Sequence, residues 1–199
     1  MTQKFTILFD LDGTLIDTAP DLIRAHNHVM KKFGYPTKTL GELKNAVGRG
    51  AKAMMAKANG QWKWFDEKIQ NEMTNEFLSY YGENIFHESR LINGVKEFLN
   101  WCKKENISMA VCTNKTEHLA VDLLKKIRIY DYFEYVAGYN TFEYCKPDPR
   151  HLTTIIEILD GDINKSIMIG DSETDANAAK AAEIPIILLK YGYTEKKSS

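Results

Sequence analysis

Cysteine is scarce: Cys102, Cys112 and Cys145 are the three in 199 residues. Their odd number and the lack of any C-x-x-C spacing argue against a disulfide framework and against a thiolate zinc site. No stretch reaches the ~18 consecutive apolar residues that a membrane-spanning helix needs. A secretory leader is not legible either, because acidic Asp10 comes early and no small-residue cleavage pattern comes after it. Charge of one sign is missing as well. The 26 Lys+Arg against 27 Asp+Glu leave a formal charge of −1, without the basic footprint of a nucleic-acid-binding domain. Repeats and low-complexity stretches are absent, and no charged tail stands out apart from the short Lys196-Lys197 end. The expectation is a soluble cytoplasmic protein with reduced thiols that engages neither nucleic acid nor membrane. Oligomeric state is silent at this level.

What is present is a chain of 22.8 kDa with 44% hydrophobic residues, enough for one core domain and a modest insertion. Phe5 to Phe9 is a short β-rich apolar run that reads as a buried strand ending at Asp10. Leu22, His26, Val29 and Phe33 then recur at helical spacing, with Pro20 near the start and Gly34 as the stop. Thr39-Leu40-Gly41-Glu42 has the pattern of a capping box. Helical patterns continue through Met54, Met55 and Ala58, and through Ile69, Met73, Phe77 and Tyr80. From Thr18 to about Tyr81 no strand is expected. The second half alternates: a helix with Val95, Leu99 and Cys102, a strand at Ile107–Cys112, a helix capped by Thr116, and a strand at Tyr135–Ala137. A helix opened by Asp148-Pro149 comes next, then a strand at Ile167–Ile169, a helix at Thr174–Ala182 and a strand at Ile186–Leu189. This order predicts an α/β fold, a Rossmann-like parallel sheet with right-handed crossovers and an inserted helical domain. The expected division is a core of residues 1–15 and 88–199 and an insertion of residues 16–87.

Open parallel sheets bind ligands beyond the carboxyl ends of their strands. The first strand delivers Asp10-Leu11-Asp12-Gly13-Thr14 and the second Thr113-Asn114-Lys115. The third leads into Lys146-Pro147-Asp148, and the fourth delivers Gly170-Asp171-Ser172-Glu173-Thr174-Asp175. In extended chain Asp10 and Asp12 project to the same side, and on a helical turn Asp171 and Asp175 come together. Converging carboxylates repel unless a cation sits among them, and Mg²⁺ suits an all-oxygen set. With a lysine, a hydroxyl and an amide alongside, this is a set for phosphoryl transfer.

Phe9-Asp10-Leu11-Asp12-Gly13-Thr14, Thr113, Lys146-Pro147 and Gly170-Asp171 with Asp175 resemble the four ordered motifs of the haloacid dehalogenase superfamily. The resemblance spans nearly the whole chain, since the insertion stands where that superfamily places its cap. Cys112-Thr113-Asn114-Lys115, Gly170-Asp171-Ser172 and Tyr191-Gly192-Tyr193-Thr194 look most like its phosphoglycolate phosphatase branch. The resemblance implies that Asp10 attacks phosphorus, and that Asp12 protonates the leaving oxygen and later deprotonates water. It implies that Mg²⁺ is held by Asp10, Asp171, the Asp12 backbone carbonyl and, directly or through water, Asp175. Thr113 and Asn114 are assigned to the substrate, Lys146 to charge neutralisation at the phosphoryl group, and Lys115 to no role. An acid at position 12 favours phosphate esters over the dehalogenase and phosphonate chemistries of the superfamily. Members of this branch usually run on past the last strand into another segment and helix, whereas this sequence stops at Ser199, so the sheet edge near Tyr191 is expected to be less covered.

The expected substrate is a small, anionic phosphorylated metabolite such as 2-phosphoglycolate. Two alternatives stay open. A sugar phosphomutase returns the phosphoryl group to its substrate, and a receiver-like signalling module accepts one, although receivers order their motifs differently. Gly48-Arg49-Gly50-Ala51-Lys52-Ala53 matches a dinucleotide fingerprint formally, but it comes after a helical stretch rather than a strand. Its place in the insertion assigns Arg49 instead to the far end of the substrate. The histidines form no metal pattern, since His26 and His28 point to different helix faces. Trp62 and Trp64 read as packing residues.

Overall fold

The computed structural model describes residues 4–43, 46–48, 50–56 and 67–193. In chain order the elements are β1 (Thr6–Phe9), β2 (Ile16–Asp17), α1 (Ala19–Lys32), α2 (Leu40–Leu43), α3 (Ala51–Ala56) and α4 (Glu67–Glu83). Next come β3 (Arg90–Leu91), α5 (Val95–Lys104), β4 (Ser108–Cys112), α6 (Glu117–Lys126) and β5 (Tyr135–Ala137). The chain continues through α7 (Arg150–Ile158), β6 (Ser166–Gly170), α8 (Glu173–Ala181) and β7 (Ile186–Leu188). Side chains of β1 divide between two apolar layers. Ile7 and Phe9 pack with Leu99 and Cys102 of α5 and with Leu119 and Leu123 of α6. Leu8 packs with Leu152 and Ile155 of α7 and Ala178 of α8. A strand apolar on both faces is what a sheet covered by helices on both sides requires.

The five long strands are parallel, in the order β5-β4-β1-β6-β7. The chain builds outward on one side of β1 through β4 and β5, then crosses to the other side for β6 and β7. The order therefore reverses at β1, and the carboxyl end of that strand is the crevice where such a sheet binds ligands. Phe9 is level with both Val111 and Ile169, so the loops after β1, β4 and β6 leave the sheet together.

Helices α1 to α4 lie between β2 and β3, whose antiparallel pairing matches Ile16 with Leu91 and Asp17 with Arg90. Strands of two residues carry no readable periodicity, so no pattern in the sequence marks them. The Thr39–Glu42 pattern forms as a single helical turn in which Glu42 accepts from the Thr39 N–H and hydroxyl. Helix α7 starts one residue later than expected. Asp148 accepts the Arg150 N–H at 2.9 Å, so Pro149 becomes the N-cap. Thr116 is the N-cap of α6, but its hydroxyl does not bond the helix.

Asp21 ties the two ends of the insertion together. Buried in the first turn of α1, it accepts the backbone N–H groups of His87, Glu88 and Ser89 and the Ser89 hydroxyl, and it pairs with Arg24. Burial opposes its ionisation, but the bonds from Ser89, Glu88 and His87 outweigh this and hold it below the ordinary carboxylate range. Asp21→Asn should cost about 3 kcal/mol in urea denaturation at neutral pH. Because the folded state binds the Asp21 proton less readily than the unfolded chain, its stabilisation is full above the ordinary carboxylate value. The gap between variant and wild type should therefore close as pH falls below about 3.9. A gap independent of pH would refute the ionic role.

Candidate active site

The loop after β1 turns sharply at Gly13, where φ is +87° and a Cβ would stand 2.7 Å from Asp171 Oδ2 and from the Tyr193 ring. Only glycine fits both the angle and the approach. Just before this turn, Asp10 and Asp12 take different partners. The Asp12 carboxylate accepts the Thr18 hydroxyl at 2.6 Å and the Lys115 ammonium at 2.8 and 3.0 Å. Asp10 Oδ1 accepts from Lys146 Nζ at 2.8 Å.

Carboxylate oxygens of Asp10, Asp171 and Asp175 lie within 4.8 Å of one another. The carboxylate of Asp12 is not part of that set. All three acids are buried. Burial, then the charges of Asp175 and Asp171, push Asp10 up to about 8 against the pull of Lys146. Burial and Asp175 likewise push Asp171 up to about 6, against the Tyr193 N–H and the Thr14 hydroxyl. Oxygen donors this crowded and this reluctant to ionise fit a hard divalent cation, whose charge reverses both effects. Asp10 and Asp171 are the residues best placed to hold it. Both Asp175 oxygens are engaged by the protein. Its Oδ1 accepts Lys146 Nζ at 2.6 Å, and its Oδ2 accepts the Ser172 hydroxyl and the N–H groups of Asp171 and Ser172. Asp175 thus caps α8 and positions Lys146 at once.

Lys146 is buried between Asp10 and Asp175. Burial alone would lower its affinity for a proton, but the two carboxylates override it and keep the ammonium charged. Its backbone is fixed on both sides. Asn114 Nδ2 donates to the Lys146 carbonyl at 2.9 Å, and the Lys146 N–H donates to His151 Nδ1 at 3.1 Å. Asn114, expected at the substrate, therefore also holds the Lys146 loop. Thr113 is buried at the end of β4, and its Oγ1 accepts the Lys115 N–H. Arg49 lies outside the described residues, as do Ala58, Trp62 and Trp64.

Two residues that the sequence left without a role belong to this site. Lys115 is buried with Asp12, and its ammonium lies over the ring of Tyr81 from α4, 4.6 Å from the centroid. The sequence signals were its position just past a strand end and its place in the Cys112-Thr113-Asn114-Lys115 motif. Tyr193 donates its N–H to Asp171 Oδ2, while its hydroxyl accepts from the N–H groups of Thr18 and Ala19 and donates to Asp17. It joins a carboxylate of the cation set to β2 and the start of α1. A cavity of about 270 Å³ opens beside Asp12 and Lys115, with Leu22, Met54, Phe77 and Leu119 on its walls.

The bond from Lys146 requires His151 Nδ1 to be unprotonated, so the ring carries its proton on Nε2. Burial, then the Lys146 charge, push this imidazole down to about 4. An NMR titration should find the His151 ring neutral from pH 8 to pH 5, well below the ordinary histidine value of about 6.5. A midpoint near 6.5 would contradict its place behind Lys146.

Residues 7–189 match the family model described as haloacid dehalogenase-like hydrolase. A phosphoglycolate phosphatase of Mesorhizobium japonicum is 38% identical over 191 residues, covering 96% of this chain and 84% of that protein. One of Agrobacterium fabrum is 40% identical over 189 residues, covering 94% and 81%. The crystal structure of a predicted phosphoglycolate phosphatase from Haemophilus somnus superposes with a TM-score of 0.89 at 30% identity, covering 98% of this chain and 88% of that one. With the acids, Thr113 and Lys146 standing at one end of a sheet of this topology, the chain belongs to the haloacid dehalogenase-like hydrolase family.

Proposed function

We propose that this hydrolase is a Mg²⁺-dependent phosphomonoesterase of small organic phosphates, with 2-phosphoglycolate as the leading substrate. The observation that carries the proposal is the pairing of two acids with two different lysines at the end of β1. Asp10 stands with Lys146 and the cation carboxylates, and Asp12 stands apart with Lys115. Two carboxylates in distinct surroundings can take distinct roles. The names of the relatives support the substrate class.

In this reading a carboxylate oxygen of Asp10 forms a bond to phosphorus as the bond to the leaving oxygen breaks. Asp12 gives that oxygen its proton, and an alcohol departs. Asp12 then takes a proton from water, whose oxygen attacks phosphorus and releases phosphate and free Asp10. Lys146 holds Asp10 in line and offsets charge on the phosphoryl oxygens, with the Thr113 hydroxyl beside it. Asp10, Asp171 and the Asp12 carbonyl are the groups assigned to Mg²⁺, with Asp175 supporting directly or through water. When bound, it supplies positive charge that stabilises the phosphoryl group in transfer. Residues 16–87 serve as a cap over the cavity. We place the enzyme in the cytoplasm, in line with three unpaired cysteines and with no described helix long and apolar enough to cross a membrane.

Phosphate release should be assayed with 2-phosphoglycolate, glucose phosphates, pyrophosphate and an aryl phosphate. Release should need Mg²⁺, stop with EDTA, and fall by roughly 10³-fold or more in Asp10→Asn. Migration of the phosphoryl group within a sugar phosphate without release would establish a mutase instead.

A further inference from the structure

We propose that Tyr193 is a positioning residue that couples cation binding at Asp171 to the seating of the insertion on the core. The proposal rests on the cation set of the candidate site and gives a task to a residue that the phosphatase reading leaves idle. Tyr193 comes after β7, yet it touches both ends of the coupling. Its N–H donates to Asp171 Oδ2, and its hydroxyl meets the junction where the chain leaves the core for the insertion.

At the junction the tyrosine does the work of a helix cap. A helix leaves its first N–H groups without partners of its own, and an N-cap side chain commonly answers one of them. Thr18 is the N-cap of the 14-residue α1 but makes no side-chain capping bond. Its hydroxyl goes to Asp12 instead, at 2.6 Å. The Tyr193 hydroxyl accepts the N–H groups of Thr18 and Ala19, each at 2.9 Å, and donates to Asp17 of β2. Since β2 pairs with β3, by which the chain returns to the core, one hydroxyl fixes the stem of the insertion.

At the other end, the Asp171 carboxylate and Tyr193 cannot move independently. The Thr14 hydroxyl holds Oδ1 at 3.3 Å and the Tyr193 N–H holds Oδ2. A Cβ on Gly192 would run into the Asp171 side chain, so the backbone just before Tyr193 lies directly on the carboxylate. The Tyr193 ring also flanks Gly13 in the turn after β1. A cation that holds Asp171 therefore holds Tyr193 and the stem, and a seated stem presents Asp171 already in place. Coupling of this kind is reciprocal, with one factor for both directions.

Tyr193→Phe removes the hydroxyl and keeps the ring and the N–H. Calorimetry should find Mg²⁺ bound about tenfold more weakly by the variant than by wild type. In wild type, saturating Mg²⁺ should slow hydrogen exchange of the Thr18 and Ala19 amides by the same factor of about ten. That slowing is measured beyond any change at the Ile127 and Glu134 amides, which bond to Leu123 and Met109 away from the stem. In the variant the Thr18 and Ala19 amides should exchange fast with or without Mg²⁺. A tyrosine that only supports the fold would slow those amides equally in both conditions and leave Mg²⁺ binding alone. Equal Mg²⁺ affinity in the two proteins, or Thr18 and Ala19 amides that respond no more than the reference pair, would overturn the coupling. Wild type that binds no Mg²⁺ would overturn it together with the cation set. If both effects appear but no phosphate is released from 2-phosphoglycolate, the coupling stands and the phosphatase reading falls. If phosphate is released and neither effect appears, the reverse is true.

Discussion

Carboxylates taken out of water must find compensating charge or give up their own, and Asp10, Asp12, Asp171 and Asp175 are all nearly inaccessible at the end of one sheet. Two lysines answer part of that demand. Lys146 spans Asp10 and Asp175, and Lys115 takes Asp12. Four acids stand against two ammonium groups, and Asp10 and Asp171 are pushed upward, first by burial and then by the neighbouring carboxylate charges. Divalent-cation chemistry is the natural answer to that imbalance. The same imbalance makes rigid supports necessary, because each ion pair is worth its cost only in good geometry.

The supports come from parts of the chain far apart in sequence. Asn114 and His151 hold the Lys146 backbone from the end of β4 and from α7. Ser172 and the N-terminus of α8 hold Asp175. Tyr193 ties Asp171 to the first turn of α1, so the cation set and the base of the insertion share one residue. At the far end of the insertion, α4 places the Tyr81 ring against Lys115. Through Lys115, Asp12 is thereby linked to α4 of the insertion.

Much of this was legible in the sequence because strand ends are easy to find. The runs ending at Phe9, Cys112 and Ile169 are short, apolar and β-rich, and polar residues come just past each of them. Reading those residues in order yields Asp10, Thr113 and Asp171, with Lys146 on the loop before α7. The hidden part depends on side-chain reach across the fold. Nothing local to Lys115 shows that it spans to Asp12, and nothing near Tyr193 shows that its hydroxyl meets two backbone N–H groups at the other end of the chain. β2 and β3 escaped because two residues hold no period. That Asp10 and Asp12 take different lysines was equally hidden, because Lys146 and Lys115 come from distant parts of the chain.

The central claim is that Asp10 is the group that bonds to phosphorus. It is tested most directly by quenching the enzyme in acid during turnover of 2-phosphoglycolate with Mg²⁺ and locating the phosphoryl group by mass spectrometry of the peptides. The expected result is an acid-stable, hydroxylamine-sensitive phosphate on the peptide carrying Asp10, absent from Asp10→Asn. Turnover without any such adduct, or an adduct on another residue, would contradict it.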